Sequence, residues 1–394
     1  MYKKKPAQKI ISISHNEDKS LIFLIAGFLL FGIIVIFNST TVQSLKIYGD
    51  ASRFFLYHIA WTVVGLVGFF ITYKFDILRF LKLNKFFYIV TAVFLFILMI
   101  ASFLPCENAI IFARCENAAN RWFYFNPPPF PQIPIIGELG FQPSELAKLT
   151  LTIFLAVQLS RSFKKKYQPF WYYLLGAGFF SALIILQPNM STSVTVFIIG
   201  TLMYITSGAT LKPLFLLFPI MLFMAFLFIM TTPYRRERLM TFFKSNQTTL
   251  NQEEDYQIKQ AKIALGSGGF FGKGLGQSRQ KYGYTPEIAS DATFAIVGEE
   301  FGFVGVSVLL FCYGLLIFKG LTIAKRAVSS EESLIAVGVT SWIGLQLLIH
   351  VTSNTGMIPY TGVTLPLISY GGSSLLFTLM GLGLLANIDR TSTE

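Results

Sequence analysis

The chain has 394 residues, 53% of them hydrophobic and only 13% charged, with 41 phenylalanines and a net charge of +12. A soluble domain of this length carries about a quarter charged residues, so the composition excludes a soluble globular protein and indicates a polytopic, all-α membrane protein. No nucleic-acid partner is expected.

In chain order, a basic arm (1–20, "MYKKKPAQKIISISHNEDKS") comes first. The apolar run behind it has no small-residue cleavage site after it and reads as a retained span rather than a signal peptide. Ten spans are expected, near 21–38, 54–73, 86–104, 144–160, 170–187, 191–207, 212–231, 293–318, 334–351 and 366–388. Together they make one membrane domain over 21–388, with a short tail at 389–394. Lys3, Lys4, Lys5, Lys74, Arg79, Lys82, Lys85, Lys164, Lys165, Lys166, Lys319, Lys325 and Arg326 fall on the side of the N-terminus. That bias predicts a plasma-membrane protein with both termini cytoplasmic.

Between the third and fourth spans, Cys106 and Cys115 lie in "CENAIIFARCEN" on the expected outer face. There an oxidising exterior permits a disulfide, and two free thiols are the alternative. Cys312 lies mid-span and reads as packing. Four ionisable residues fall within spans, where each must face a cavity or a partner. Glu145 and Lys148 are three apart on one helix and able to pair; Glu299 and Glu300 lie early in the eighth span. An ion-pair network that fixes packing suits the three glutamates. Lys148 could instead be an unpaired ammonium lining an outward cavity, where it would attract phosphate.

The long outer loop at 232–291 carries nine Lys and Arg against six Asp and Glu, a balance of +3. Either anionic headgroups or an anionic substrate would suit that excess. Its glycine stretch is not a nucleotide loop, because Ser267 stands where Walker A needs the first glycine and Gly274 follows Lys273. These glycines let backbone approach a bulky ligand or a neighbouring helix. Asp291 closes the loop. Alone it reads as a helix-start carboxylate. Beside Lys273, Arg279 and Lys281 it also has what glycosyl transfer from a diphosphate needs: a base for a sugar hydroxyl, and cations for the leaving group.

Five motifs, "AANRWF" (118–123), "FQPSELAKL" (141–149), "ALGSGGFFGKGLGQSRQKYGYTPE" (264–287), "IVGEEFGFVG" (296–305) and "NTGMIPYTGVTLPLISYGGSS" (354–374), stand in register along the chain. Together they resemble the SEDS family (shape, elongation, division and sporulation), nearer its division members than its elongation members. The resemblance implies the ten-span SEDS fold and a peptidoglycan glycosyltransferase that polymerises lipid II on the outer face, for septal wall synthesis. It maps the catalytic aspartate to Asp291 and motif carboxylates to Glu145, Glu299 and Glu300. Lys148, Arg121 and Trp122 match its conserved lysine and arginine–tryptophan pair, and Ser369, Gly371, Gly372 and Ser373 its last signature. With Lys273, Arg279 and Lys281 these are the candidate substrate contacts. A divalent cation could assist, and the implied partners are a class b penicillin-binding transpeptidase and other divisome membrane proteins. The chain departs from the family pattern at Ala289, where a histidine is usual, at Ser290, Ala292 and Thr293, and at Asn189, where an aspartate is usual. A lipid II flippase, a non-enzymatic division scaffold and an elongation-type polymerase are the alternatives.

Overall fold

Apolar runs long enough to cross hydrocarbon can satisfy their backbone only as helices. Helices accordingly dominate the computed structural model, which describes residues 19–105, 111–115, 119–131, 133, 138–162, 168–217, 252–279 and 288–393, with isolated positions between 218 and 251. In order come α1 (Ser20–Tyr48), α2 (Arg53–Lys74), the short α3 (Ile77–Lys82) and α4 (Asn84–Ser102). A two-residue antiparallel pair follows, β1 (Phe123–Tyr124) against β2 (Gly140–Phe141), with Phe123 opposite Phe141. Beyond it run α5 (Pro143–Ser162), α6 (Gln168–Leu186, with a π-helical turn at Leu174–Gly178) and α7 (Met190–Thr206). The rest are α8 (Gln252–Ser267), α9 (Ile288–Asp291), α10 (Thr293–Arg326), α11 (Ser330–Asn354) and α12 (Gly372–Thr393).

Seven of these, α1, α2, α4, α6, α10, α11 and α12, are long and apolar enough to cross a membrane. The shorter α7 and the charge-bearing α5 fall on expected spans as well. Of the seventh expected span only 212–217 is described as a continuous helix, and most of it lies outside the described residues.

The middle of the bundle is made by α5 and α12. Almost every residue of α5 from Pro143 to Leu159 is buried, including Glu145 and Lys148, which pair with each other, while Arg161 lies beyond that stretch and is exposed. Helix α12 runs parallel to α2, turn for turn. A Cβ on Gly65 would lie 2.6 Å from the Leu379 side chain, and one on Gly383 2.1 Å from Thr72 Oγ1. Small residues let the two backbones close up. The Thr72 hydroxyl then donates to the Met380 carbonyl at 2.9 Å, and Asn387 Nδ2 donates to the carbonyls of Thr72 and Phe75 at 2.9 and 2.7 Å.

Three features depart from the expected layout. The loop at 232–291 contains α8, which packs Ala261, Ala264 and Leu265 against Ala295 and Gly298 of α10. Helix α12 starts at Gly372 rather than 366 and continues to Thr393, taking in the expected tail. The residues before it, 361–371, form a non-helical segment that re-enters the bundle. The Tyr313 hydroxyl, midway along α10, donates to the Pro366 carbonyl, and a Cβ on Gly32 of α1 would lie 2.7 Å from the Leu367 carbonyl oxygen. Irregular backbone is tolerated at that depth only where protein or a cavity satisfies it. Here it is buried, and Leu367 is held at φ 67°, a left-handed conformation that leucine rarely adopts.

Helix α10 is broken at Gly302 (φ 66°, ψ −164°). The glycine stretch clasps the break. Lys273 and Gly274 donate backbone N–H groups to the Glu299 and Glu300 carbonyls at 2.9 and 3.0 Å, while Phe303 and Val304 donate to Gly269 and Phe270 at 2.9 and 3.1 Å. A Cβ on Gly272 (φ 83°) would meet the Glu300 carbonyl oxygen at 2.1 Å, and one on Gly302 the Gly272 nitrogen at 2.3 Å. Only glycine fits at either position.

Candidate active site

The start of α5, the α9–α10 junction, the end of α11 and the re-entrant segment meet at the end of the bundle opposite Ser20. Asp291 is the last residue of α9 and is 8% exposed. Its backbone is anchored by Asn354 Nδ2, which donates to the Asp291 carbonyl at 2.9 Å and to the His350 carbonyl at 3.0 Å. Its carboxylate lies against the re-entrant segment, so that a Cβ on Gly362 would sit 3.3 Å from Oδ2.

The junction is braced by hydroxyls and one imidazole. Ser369 Oγ donates to Thr293 Oγ1 at 2.8 Å and accepts the Leu365 N–H at 2.9 Å. The Thr361 N–H donates to Ser353 Oγ at 2.8 Å. His350, fully buried, contacts the Val363 carbonyl through Nδ1 at 2.7 Å and accepts the Phe294 N–H at Nε2, 3.4 Å away. Nδ1 is thus placed to donate and Nε2 to accept. His350 and Asn354 were not singled out from the sequence, although a lone ionisable residue inside the ninth span is itself a signal.

The other residues of the last signature pack the same joint. Ser373 Oγ accepts the Gln142 N–H at 3.0 Å, and a Cβ on Gly372 would lie 2.4 Å from the Trp61 ring. Gly371 sits beside Thr364, whose hydroxyl donates to Ser374 Oγ at 2.8 Å. Ser369 and Ser373 are buried, and their hydroxyls serve helix-to-segment contacts.

Two expected cations are in ion pairs. Lys148 is not an unpaired ammonium: it is 1% exposed, its Nζ lies 2.7 Å from both Glu145 oxygens, and it sits 4.9 Å over the Trp342 ring. A buried ammonium stays charged only with such a partner. Lys273 Nζ pairs with Glu299 Oε1 at 2.7 Å and donates to Ser267 Oγ at 2.8 Å. Glu299 also accepts Ser278 Oγ at 2.6 Å and the Arg279 N–H at 3.3 Å, and Glu300 accepts the Ser278 N–H at 3.4 Å. Lys273, Glu299 and Glu300 thus stabilise the clasp from inside.

Arg121 is half-buried, and its Nη2 donates to the Pro188 carbonyl at 2.6 Å, tying the β1 region to the α6–α7 turn. Trp122 beside it is half-buried, and Arg279 has an exposed side chain. Lys281 and Cys106 lie outside the described residues. Cys115 is disulfide-bonded and Cys312 is free. No group of three His, Cys, Asp or Glu side chains among the described residues could hold a metal ion.

Fold and junction together define a multi-pass helical membrane protein with a buried carboxylate at one mouth of its bundle. The chain matches the family model described as cell cycle protein, FtsW/RodA/SpoVE, over residues 19–394, and it belongs to that family. Stage V sporulation protein E of Bacillus subtilis is 31% identical to it, over 96% of this chain and 98% of that protein. The probable peptidoglycan glycosyltransferase FtsW of Aliivibrio salmonicida is 30% identical over 95% and 89%. Among solved structures, the rod shape determining protein RodA of Thermus thermophilus superposes with a TM-score of 0.68, at 24% identity over 97% of this chain and 99% of that one. A chain from a peptidoglycan synthase complex, described as coordinating polymerization and crosslinking, gives 0.75 at 24% identity over 96% and 99%.

Proposed function

We propose that this protein is a peptidoglycan glycosyltransferase that polymerises lipid II, with Asp291 as its base. The observation that carries the reading is the placement of Asp291: a carboxylate at the mouth of a membrane bundle, fixed through its backbone and facing Gly362. Relatives named probable peptidoglycan glycosyltransferases, similar over nearly the whole chain, support it.

In this reading the site end of the bundle faces outward and both termini are cytoplasmic. Asp291 takes the proton from the 4-hydroxyl of the acceptor sugar. The freed oxygen attacks C1 of the donor strand, the C1–O bond to the diphosphate breaks with inversion, and a β-1,4 bond forms. Undecaprenyl diphosphate leaves, with Arg121 and Arg279 as the candidate cations to meet it. Lys148 acts through the Glu145 pair rather than as an open phosphate ligand. The proposed steps route no bond change through a metal.

Septal wall synthesis and pairing with a class b penicillin-binding transpeptidase belong to the same proposal. They are supported by the division-type relatives and by the neighbour's description as part of a synthase complex. The deciding experiment is lipid II polymerisation by the purified protein with its cognate transpeptidase, wild type beside Asp291→Ala. Polymer from the wild type alone is expected. Equal polymer from both would remove Asp291 as base, and polymer from neither would favour a flippase or scaffold.

A further inference from the structure

Helix α10 turns one stripe away from the bundle: Val304, Val308, Phe311, Leu315 and Phe318 follow one another at spacings of three and four, and all are exposed. In a membrane protein such a stripe faces acyl chains. The run from Phe303 to Arg326 is roughly 36 Å long at 1.5 Å per residue, enough to cross the hydrocarbon by itself. With Lys325 and Arg326 at the far headgroups, the Gly302 break falls at the near interface. Above the break, α10 turns inward, and Phe294 through Glu300 are buried.

The stripe does not stop there; a different part of the chain continues it. Phe270 and Phe271, at the tip of the glycine clasp, are 61% and 79% exposed. Phe270 stacks on the exposed Phe303 ring, centroids 5.7 Å apart at 29°, and meets Phe271 edge-on at 5.1 Å. Backbone hydrogen bonds from Phe303 and Val304 fix the tip to α10. The other side of the clasp is polar and holds Ser267, Lys273, Ser278 and Glu299. Aromatic rings outward, ion pair inward, and placement at a helix's interfacial end match the chemistry of an aromatic membrane anchor rather than that of a solvated loop.

We propose that residues 268–275 are a membrane-inserted clip, with Phe270 and Phe271 immersed among the acyl chains of the leaflet on the site side. The occupant of this apolar face is lipid hydrocarbon, because the face continues the lipid-facing wall of α10 without a gap. The clip shields Glu299 and Glu300 from that hydrocarbon and makes the bilayer a participant in holding the Gly302 break.

The test is Phe271→Trp in lipid nanodiscs, read as variant minus parent to subtract the parent's four tryptophans. With phosphatidylcholine brominated along its acyl chains, the added emission should lose most of its intensity and be blue-shifted. Aqueous iodide should barely touch it. Strong iodide quenching with no effect of brominated lipid would overturn the clip, and so would protection from both quenchers, since protein would then cover the face. If Phe271→Trp fails to fold, Phe270→Trp gives the same readout, with the lipid-facing Phe303→Trp as reference.

Discussion

Asp291 is anchored through its main chain, so its carboxylate can be changed without removing the Asn354 contact. Asp291→Asn should therefore keep that anchor and fold, while polymerisation falls about 10²–10⁴-fold, the usual weight of a general base. Asn354→Ala should lower both, since it leaves the Asp291 carbonyl without its amide partner, a loss of roughly 1–3 kcal/mol for a buried group; thermal unfolding beside the polymerisation assay separates the two effects. The Glu145–Lys148 pair gives a sharper discrimination. Glu145→Leu alone strands a buried ammonium and should cost roughly 3–5 kcal/mol, whereas Glu145→Leu with Lys148→Met should recover most of that stability. Recovered stability with recovered polymerisation would assign the pair to packing. Recovered stability without activity would return Lys148 to the substrate.

At the level of elements, the clasp and the re-entrant segment carry the site, and they differ in how far the sequence showed them. "GSGGFFGKGLG" reads at once as backbone needing close approach, and its glycines do meet a neighbouring helix. Gly272→Ala should be clearly destabilising, because its new Cβ has nowhere to go beside the Glu300 carbonyl and the φ of 83° is strained for alanine; heat denaturation in detergent would read it. Helix α8 was hidden because its residues are mostly polar and its buried contacts rest on alanines, so no apolar window marks it. The segment 361–371 was hidden for the opposite reason. "TGVTLPLISYGG" is apolar enough to pass as the start of a span, and hydropathy cannot tell buried helix from buried irregular backbone. Pro366 and the Gly371–Gly372 pair were the local warning. The long helices were legible because apolar length is what a bilayer selects. The pairing of Lys148 with Glu145 was legible as a possibility from their spacing of three, but which partner the ammonium takes depends on burial that only the packed bundle supplies.

Across the whole molecule, burial is very uneven. The apolar window of α12 is 78% buried and that of α11 67%, against 22% for α4 and for α10. Lipid-facing helices of the last kind can accept substitutions that the inner pair cannot. Asn387→Leu, which removes the two hydrogen bonds to the end of α2, should lower thermal stability and raise proteolytic nicking of the α2–α3 turn, while an exposed change such as Phe311→Leu should alter neither. The placement of α12 also constrains how the protein is made. Of the helices described, it leaves the ribosome last, yet with α5 it makes the middle of the bundle, in the groove beside α2. Earlier spans must therefore wait in the bilayer with that groove unfilled, and the re-entrant segment that faces Asp291 can seat only when α12 slots in behind it. Assembly of the candidate site is thus tied to the final step of membrane insertion, and a chain that stalls before Gly372 should be both unstable and inert.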